Sequence, residues 1–394
     1  MSNLKLLNQE YKKLFHRDCR YFKGYKPCDQ HKESKIECPE CKHYSPWDKK
    51  FLIIKQGEIG DVLRTTPLVR AIREKHPNAY IVWLVQDKAH QCIIRNGFID
   101  EVVIYHPSIL QRFMIEKYDT VICLDKDIAS ITVATLTKAK NKLGFGMDES
   151  GRVVPFNKEA EYKWAIGISD NLNQANNLSY QEQIFEITGY RPSNTEYIFD
   201  LPVIAKEFEK EFKEKNEITK QLIIGFNTGV GTKFLPRKWP SNYYIELALL
   251  IDKYCESKNI PVKLLLLGGP SETDRNEYIF SKYNKKGHLN MIHTGVDNKI
   301  EEFFGLINLC DIVITGDTMG MHVAIALRKK LVVFMGPITT SSIDTYNLGP
   351  MLTSTEHKCL GCFRDICDLP YQCMDAVKPQ VAFKEVEKHI EALK

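Results

Sequence analysis

No stretch of this 394-residue chain is long and apolar enough to cross a bilayer, and the longest aliphatic run, near Val262–Leu267, falls far short of a spanning helix. The amino terminus, MSNLKLLNQEYKKLF, has no apolar signal-peptide core, so a cytoplasmic location is the default expectation. There is no low-complexity tract. An excess of one charge is also missing: 54 basic residues against 50 acidic leave +4, too little to act as a footprint for nucleic acid. What is present fits an ordinary globular protein, since 43% hydrophobic content fills normal cores and the length suits two or three domains. Leu4, Leu7, Tyr11, Leu14 and Phe15 recur at helical spacing beside Lys5, Lys12 and Lys13. That pattern suits packing against the protein's own body first and peripheral contact with a membrane surface second.

Twelve cysteines without an export signal argue for metal ligands or buried thiols rather than a disulfide framework. Cys92, Cys123, Cys255 and Cys310 sit singly in apolar segments and read as small core residues. The other eight form two clusters. Cys19, Cys28, Cys38 and Cys41 have C-x8-C-x9-C-x2-C spacing in a charged segment poor in aliphatic residues, with His31 and His43 as alternative ligands. Cys359, Cys362, Cys367 and Cys373 follow the tighter C-x2-C-x4-C-x5-C spacing. A tetrahedral ion held by four thiolates is a substitute for a core in such segments, and leaves no open position for catalysis. Each cluster is therefore expected to hold a structural ion, zinc first and iron second; reduced thiols without metal are the competing reading.

Between the clusters the pattern is α/β. Strands are expected at 51–55, 80–85, 101–105 and 120–124, alternating with helical periodicity, and again at 222–226, 262–267, 311–315 and 331–334. This predicts two doubly wound, Rossmann-like domains of largely parallel sheet. The expected division is a cysteine-rich extension at 1–48, a first domain at 49–200, and a second at 201–394 that includes a cysteine-rich segment at 355–375. The join falls near 190–218, where Pro192 and Pro202 precede the charged run EFEKEFKEKNE.

The run FLIIKQGEIGDVLRTTP, Phe51–Pro67, places Asp61 at a glycine-bearing turn between strand and helix, at the carboxyl end of a strand where such sheets bind ligands. Its glycines lack the G-x-G-x-x-G order, so no nicotinamide or flavin is indicated. Asp61 has two readings, a cleft carboxylate or a helix cap. In the second half, NTGVGTKFLPRKWP offers Thr228, Gly229 and Gly231 for close backbone approach, and Lys233, Arg237 and Lys238 as cations for a diphosphate or as a solvated face. LGGPSETD sets Glu272 at a helix start, either to accept from sugar hydroxyls or to favour the helix dipole. In VITGDTMGMHVAIAL a strand gives way to Asp317 and Thr318, as caps or ligand contacts, and to a helix start with amides suited to a phosphate; His322 lies beyond, toward ligand or core.

Phe51–Pro67, the LGGPSETD loop, the D-T-x-G-x-H element from Asp317 to His322, and HKCLGCFRDICDLPYQCM recur here in the order in which they occur in glycosyltransferase family 9, the lipopolysaccharide heptosyltransferases, and from residue 50 onward the chain resembles that family. The resemblance implies a GT-B fold, an ADP-heptose donor, and inversion at the anomeric carbon without a catalytic metal. It makes Asp61 the general base with Lys55 beside it, Arg237 or Lys238 the basic donor contact, and Glu272, Asp317, Thr318, Gly320 and His322 nucleotide-sugar contacts. Asp125-Lys126-Asp127 spells the D-x-D of metal-dependent transferases, though nothing else here resembles that other fold. Two departures stand out: some fifty residues precede the first strand, fit for acceptor recognition, self-association or bracing, and Met319 replaces a glycine common in the family. The function expected is sugar transfer to a glycan, lipid-linked glycan or protein. The alternatives are an epimerase or hydrolase of the same architecture and a noncatalytic nucleotide-binding protein.

Overall fold

A computed structural model describes residues 14–231 and 235–393. The amphipathic stretch at Leu4–Tyr11 and the candidate cation Lys233 lie outside these residues. Two six-stranded sheets carry the chain. The first comprises β1 (Lys50–Ile54), β2 (Tyr80–Val85), β3 (Glu101–Ile104), β4 (Lys117–Cys123), β5 (Lys138–Met147) and β6 (Val153–Pro155), in the order β3-β2-β1-β4-β5-β6. All neighbours are parallel except β6, which runs antiparallel to β5. The second comprises β7 (Leu222–Asn227), β8 (Val262–Leu267), β9 (Met291–His293), β10 (Ile312–Gly316), β11 (Lys330–Met335) and β12 (Met351–Thr353). Its order, β12-β11-β10-β7-β8-β9, is parallel throughout.

Each sheet thus runs outward in both directions from its first strand, and the order reverses between β1 and β4 and again between β7 and β10. Loops leaving the carboxyl ends of neighbouring strands diverge there and open a crevice. Phe51–Ile54 are almost completely buried because helices cover both faces of the sheet, which explains an unbroken apolar run instead of alternation. All eight expected strands form. Of the four missed ones, β6, β9 and β12 are short edge strands of three residues each, and β5, though long and paired on both sides, reads as charged and half-exposed. Charged residues at the join form the helix Val203–Lys215, which packs on the helix Ile300–Leu309 so closely that a side-chain carbon at Gly305 would lie 2.5 Å from the Ala205 carbonyl oxygen. Among the described residues no helix is long and apolar enough to cross a membrane.

The two domains meet where the helix Ile59–Thr65, after β1, crosses the helix Met319–Ala326, after β10. Gly60 makes the approach possible, since a Cβ there would sit 2.4 Å from Cδ2 of the buried His322 ring. Gly60→Ala should therefore cost about 1–3 kcal/mol through overpacking. A fall in the urea midpoint measures this, and an unchanged midpoint would mean that the ring yields freely.

Candidate functional site

Asp61 is not a helix cap. Glu58 occupies the cap position without a side-chain cap bond, and Asp61 sits in the first turn with its carboxylate turned onto two cations. Its Oδ2 accepts from Lys55 Nζ at 3.2 Å and its Oδ1 from Arg64 Nη2 at 2.6 Å. Lys55 is buried and also donates to Asp125, whose other oxygen accepts from the amides of Gln56 and Gly57. Asp125 therefore ties the end of β4 to the loop after β1, across the point where strand order reverses. Asp127 caps the helix Ile128–Leu136, accepting from the Ser130 amide at 3.0 Å. Both carboxylates of the D-x-D triplet are thus held in protein contacts.

Charge follows from this packing. Burial alone would raise the Asp61 pKa, but Arg64 and Lys55 override it and hold the carboxylate well below its ordinary range. Burial works against the Lys55 charge, yet Tyr180, Asp61 and Asp125 more than offset it and raise its pKa. Arg64 lies flat on Tyr180, 3.6 Å from the ring centroid, with Lys163 over the same ring at 4.3 Å. Lys163, caught by burial and by the charges of Arg64, Lys126 and Lys55, is pushed well below the usual lysine value, and burial lowers Lys126 to about 8.

From the second domain, His322 Nδ1 shares a hydrogen bond with the Tyr197 hydroxyl at 3.2 Å, and its Nε2 lies 4.0 Å from Asp317 Oδ1. Burial, helped by Arg64, depresses His322 to about 3 and keeps the imidazole neutral. Burial raises Asp317, against the pull of Arg237 and Arg64. Arg237 donates to the Asp317 carbonyl at 2.8 Å and to the Val230 carbonyl at 3.0 Å. Lys55, Asp61, Arg64, His322, Asp317 and Arg237 thus form one chain of polar groups through the domain contact.

Thr318 stands at the cap position of the helix Met319–Ala326 but makes no cap bond; its hydroxyl instead accepts from Asn227 Nδ2 at 2.9 Å. The first-turn amides are left without a side-chain cap, a setting suited to an anion. Gly320 allows Asn227 close, as a Cβ would lie 2.5 Å from its Nδ2. Glu272 ends a short 3-10 turn, buried, accepting from the Gly269 amide at 3.1 Å and the Ser271 hydroxyl at 2.8 Å. The Thr228 hydroxyl is committed to Asn276 Oδ1 at 2.5 Å and the Leu267 carbonyl at 3.2 Å, which makes it a brace for its loop. Lys238 is half-buried just beyond Arg237. Arg64, Tyr180, Tyr197, Lys163 and Asn227 complete the site beyond the residues singled out in the motifs, and Asp125, noted there only in the D-x-D triplet, joins it as the partner of Lys55. Only Arg64, three residues from Asp61 on one helix face, had a local signal.

The sequence model of glycosyltransferase family 9 (heptosyltransferase) matches residues 108–371, well over half the chain. The chain belongs to this family. It is similar to a lipooligosaccharide heptosyltransferase 2 of Campylobacter jejuni, 21% identical over 338 residues that cover 84% of this chain and 96% of the relative. Among solved structures, a glycosyltransferase family 9 protein from Veillonella parvula superposes with TM-score 0.69 at 17% identity, covering 87% of this chain and 98% of the other. The Escherichia coli ADP-heptose LPS heptosyltransferase II gives 0.63 at 17%, covering 87% and 99%. These likenesses establish the GT-B fold, and family membership makes the chain a glycosyltransferase.

The iron-containing dodecameric glycosyltransferase TibC of enterotoxigenic E. coli shares the fold more distantly, with TM-score 0.53 at 12% identity, covering 88% of this chain and 77% of that one. In the present chain Cys373 is buried, and burial together with the neighbouring Cys362, Cys359 and Cys367 pushes its thiol up to about 11. As the side chains stand, no three His, Cys, Asp or Glu groups among the described residues are arranged to hold an ion. The isolated Cys92, Cys123, Cys255 and Cys310 are core residues.

Lys55→Met should cost about 3–5 kcal/mol, because it strands the Asp125 charge in the interior. Thermal denaturation measures the loss, and a near-neutral result would show that Asp125 takes up a proton instead. For His322 the sign follows from its two titrations. The unfolded imidazole takes a proton near 6.5 and the folded one near 3, so the unfolded state binds more protons in between and stability falls as pH drops through that window. His322→Gln should flatten the slope of stability against pH there relative to the parent protein; an identical slope would assign it to other histidines.

Proposed function

We propose that this family 9 enzyme is an inverting transferase that moves a heptose from ADP-heptose to a hydroxyl of a cell-envelope glycan, lipid-linked glycan or protein, with Asp61 as general base. The observation that carries this reading is the Asp61 carboxylate, kept ionised by Lys55 and Arg64 at the junction with the His322–Asp317–Arg237 chain of the second domain. Relatives named lipopolysaccharide heptosyltransferase 2 support the choice of donor and acceptor class.

A sugar hydroxyl is a poor nucleophile, but its proton becomes strongly acidic as the oxygen bonds to the anomeric carbon. A weakly basic carboxylate then suffices, provided it is ionised and in place. Lys55 acts as a positioning residue: buried against Asp61 and Asp125, it fixes the base without meeting the sugar. The departing ADP gathers negative charge, which the uncapped amides of Met319–Ala326 and the Arg237 guanidinium are suited to stabilise. A single displacement from the face opposite the leaving group inverts the anomeric carbon. Glu272, with Gly229 and Gly269 close by, takes the nucleotide-sugar hydroxyls. Lys238, Thr318, Gly320 and the backbone around Thr228 complete the donor side. Lys163, over the same Tyr180 ring as Arg64, and Lys126, which donates to the Lys163 carbonyl, are first-domain amines suited to a phosphate or carboxylate on the acceptor.

The cluster Cys359, Cys362, Cys367 and Cys373 suits one structural ion, zinc or iron, which would hold segment 355–375 against the second domain. Four thiolates leave no position open for chemistry. Work at the cytoplasmic face of a membrane follows from the acceptor class.

Asp61→Asn should lower transfer roughly 100- to 10,000-fold while ADP binding persists. Product mass from ADP-, GDP- and UDP-sugars incubated with cell-envelope extract, read beside calorimetric ADP binding, tests both parts. Undiminished transfer would remove Asp61 as base, and ADP-heptose consumption without an acceptor product would favour a hydrolase.

A further inference from the structure

The segment 14–48 has defined structure but no buried residue. It contains a helix at Asp29–Ser34, a 3-10 turn at Cys38–Glu40 and a bridge between Cys19 and Pro46, yet every described side chain in it is exposed or half-exposed. Backbone ordering costs about 1–2 kcal/mol per residue, and partly buried side chains such as Phe22 and Trp47 offset only some of it, so something else must supply the rest. The segment encloses a cavity of about 570 Å³ lined by Cys19, Cys28, Cys38 and Cys41 together with His16 and two further histidines. His16 Nδ1 is buried with no hydrogen-bond partner, although its ring rests 4.1 Å from the Tyr44 ring. An orphaned imidazole nitrogen on a residue that lines the same cavity as four thiols is a group short of a ligand.

We propose that Cys19, Cys28, Cys38 and Cys41 bind one tetrahedral d-block cation, zinc in the first instance, and that this ion is the core of the amino-terminal module. The cavity is wider than a single ion's coordination sphere, so binding draws its walls inward; a segment without packed side chains has the freedom to do this. The unpartnered His16 nitrogen then gains a metal-bound sulfur to donate to, which fixes the geometry from outside the ligand shell.

The module's attachment says what the ion is for. Arg20 pairs with Asp100 at 2.8 Å, Trp47 lies against the Tyr80 ring at 5.9 Å, and the Asp48 amide donates to the Asn78 carbonyl at 3.3 Å. Asn78, Tyr80 and Asp100 lie at or just before the amino ends of β2 and β3, whereas Asp61 and Asp125 follow the carboxyl ends of β1 and β4. The ion therefore sits at the opposite end of the sheet from the transfer site. It braces the first domain and does not take part in catalysis.

The test uses the full chain in the Cys359→Ser/Cys362→Ser background, so that metal at the second cluster does not enter the result. The protein is stripped with chelator and titrated with zinc, and the stoichiometry and hydrogen exchange of 14–48 are followed. We expect one zinc per chain, with protection of 14–48 rising on binding, and both lost in Cys28→Ser/Cys38→Ser. Cobalt(II) in place of zinc should give the thiolate charge-transfer bands of a four-sulfur site, and the donor KM should stay within about twofold of the parent value. No zinc uptake, uptake unchanged by Cys28→Ser/Cys38→Ser, or protection indifferent to zinc would each overturn the proposal, whatever the outcome for sugar transfer.

Discussion

The site depends on one buried ammonium. Lys55 stands at the end of β1 with Asp125 on one side and Asp61 on the other, and the buried Asp125 carboxylate is not tolerable there without it. A charge taken out of water is retained only when it is paired and hydrogen-bonded. Asp125 meets that condition through Lys55 and two backbone amides, and this junction fixes the loop that carries Asp61. Arg64 supplies the second positive charge and is itself held flat on Tyr180. Two cations to one accessible carboxylate keep Asp61 ionised.

The fold places this junction opposite its counterpart. Both sheets reverse their strand order at the first strand, so each opens a crevice at the same kind of position. Asn227, at the end of β7, does for the second domain what Asp125 does for the first: it ties the loop after one strand to the loop after its neighbour, through Thr315 and Thr318 at 2.9 Å each. One bridge is ionic and the other neutral. The first has to stabilise a carboxylate, while the second has to leave helix amides available to a ligand that brings its own charge.

Legibility in the sequence followed the range of the interactions. Asp61 was readable as a cleft carboxylate because strand, glycine turn and helix lie within seventeen consecutive residues, Lys55 came only with the family resemblance, and the buried strands were readable because a sheet covered on both faces needs an unbroken apolar run. Tyr180 was not readable as a site residue, and Asp125 was readable only as part of a D-x-D triplet and not as the partner of Lys55, since these contacts span 70 or more residues in sequence and no periodicity encodes them. Asp61 also illustrates the limit of local rules. Its position in the first turn of a helix is where a carboxylate favours the dipole, and only the tertiary placement of Lys55 and Arg64 distinguishes that from a functional group.

The neutral state of His322 constrains how the charge of the proposed diphosphate leaving group would be met. An imidazole this deeply buried beside Arg64 does not carry a proton near neutral pH, so it cannot serve as the cation at the leaving group. Arg64 is already balanced by Asp61, and Arg237 is oriented by the Asp317 and Val230 carbonyls toward the same end of β10. The amides of Met319–Ala326, whose cap residue turns its hydroxyl away to Asn227, are fixed dipoles that cost nothing to reorient. His322 thus contributes shape: it packs against Gly60, accepts or donates one hydrogen bond with Tyr197, and holds the Asp61 turn against the helix whose uncapped amides are proposed to meet the donor. A cation at that point would have repelled Arg64 and loosened the clamp that keeps Asp61 ionised.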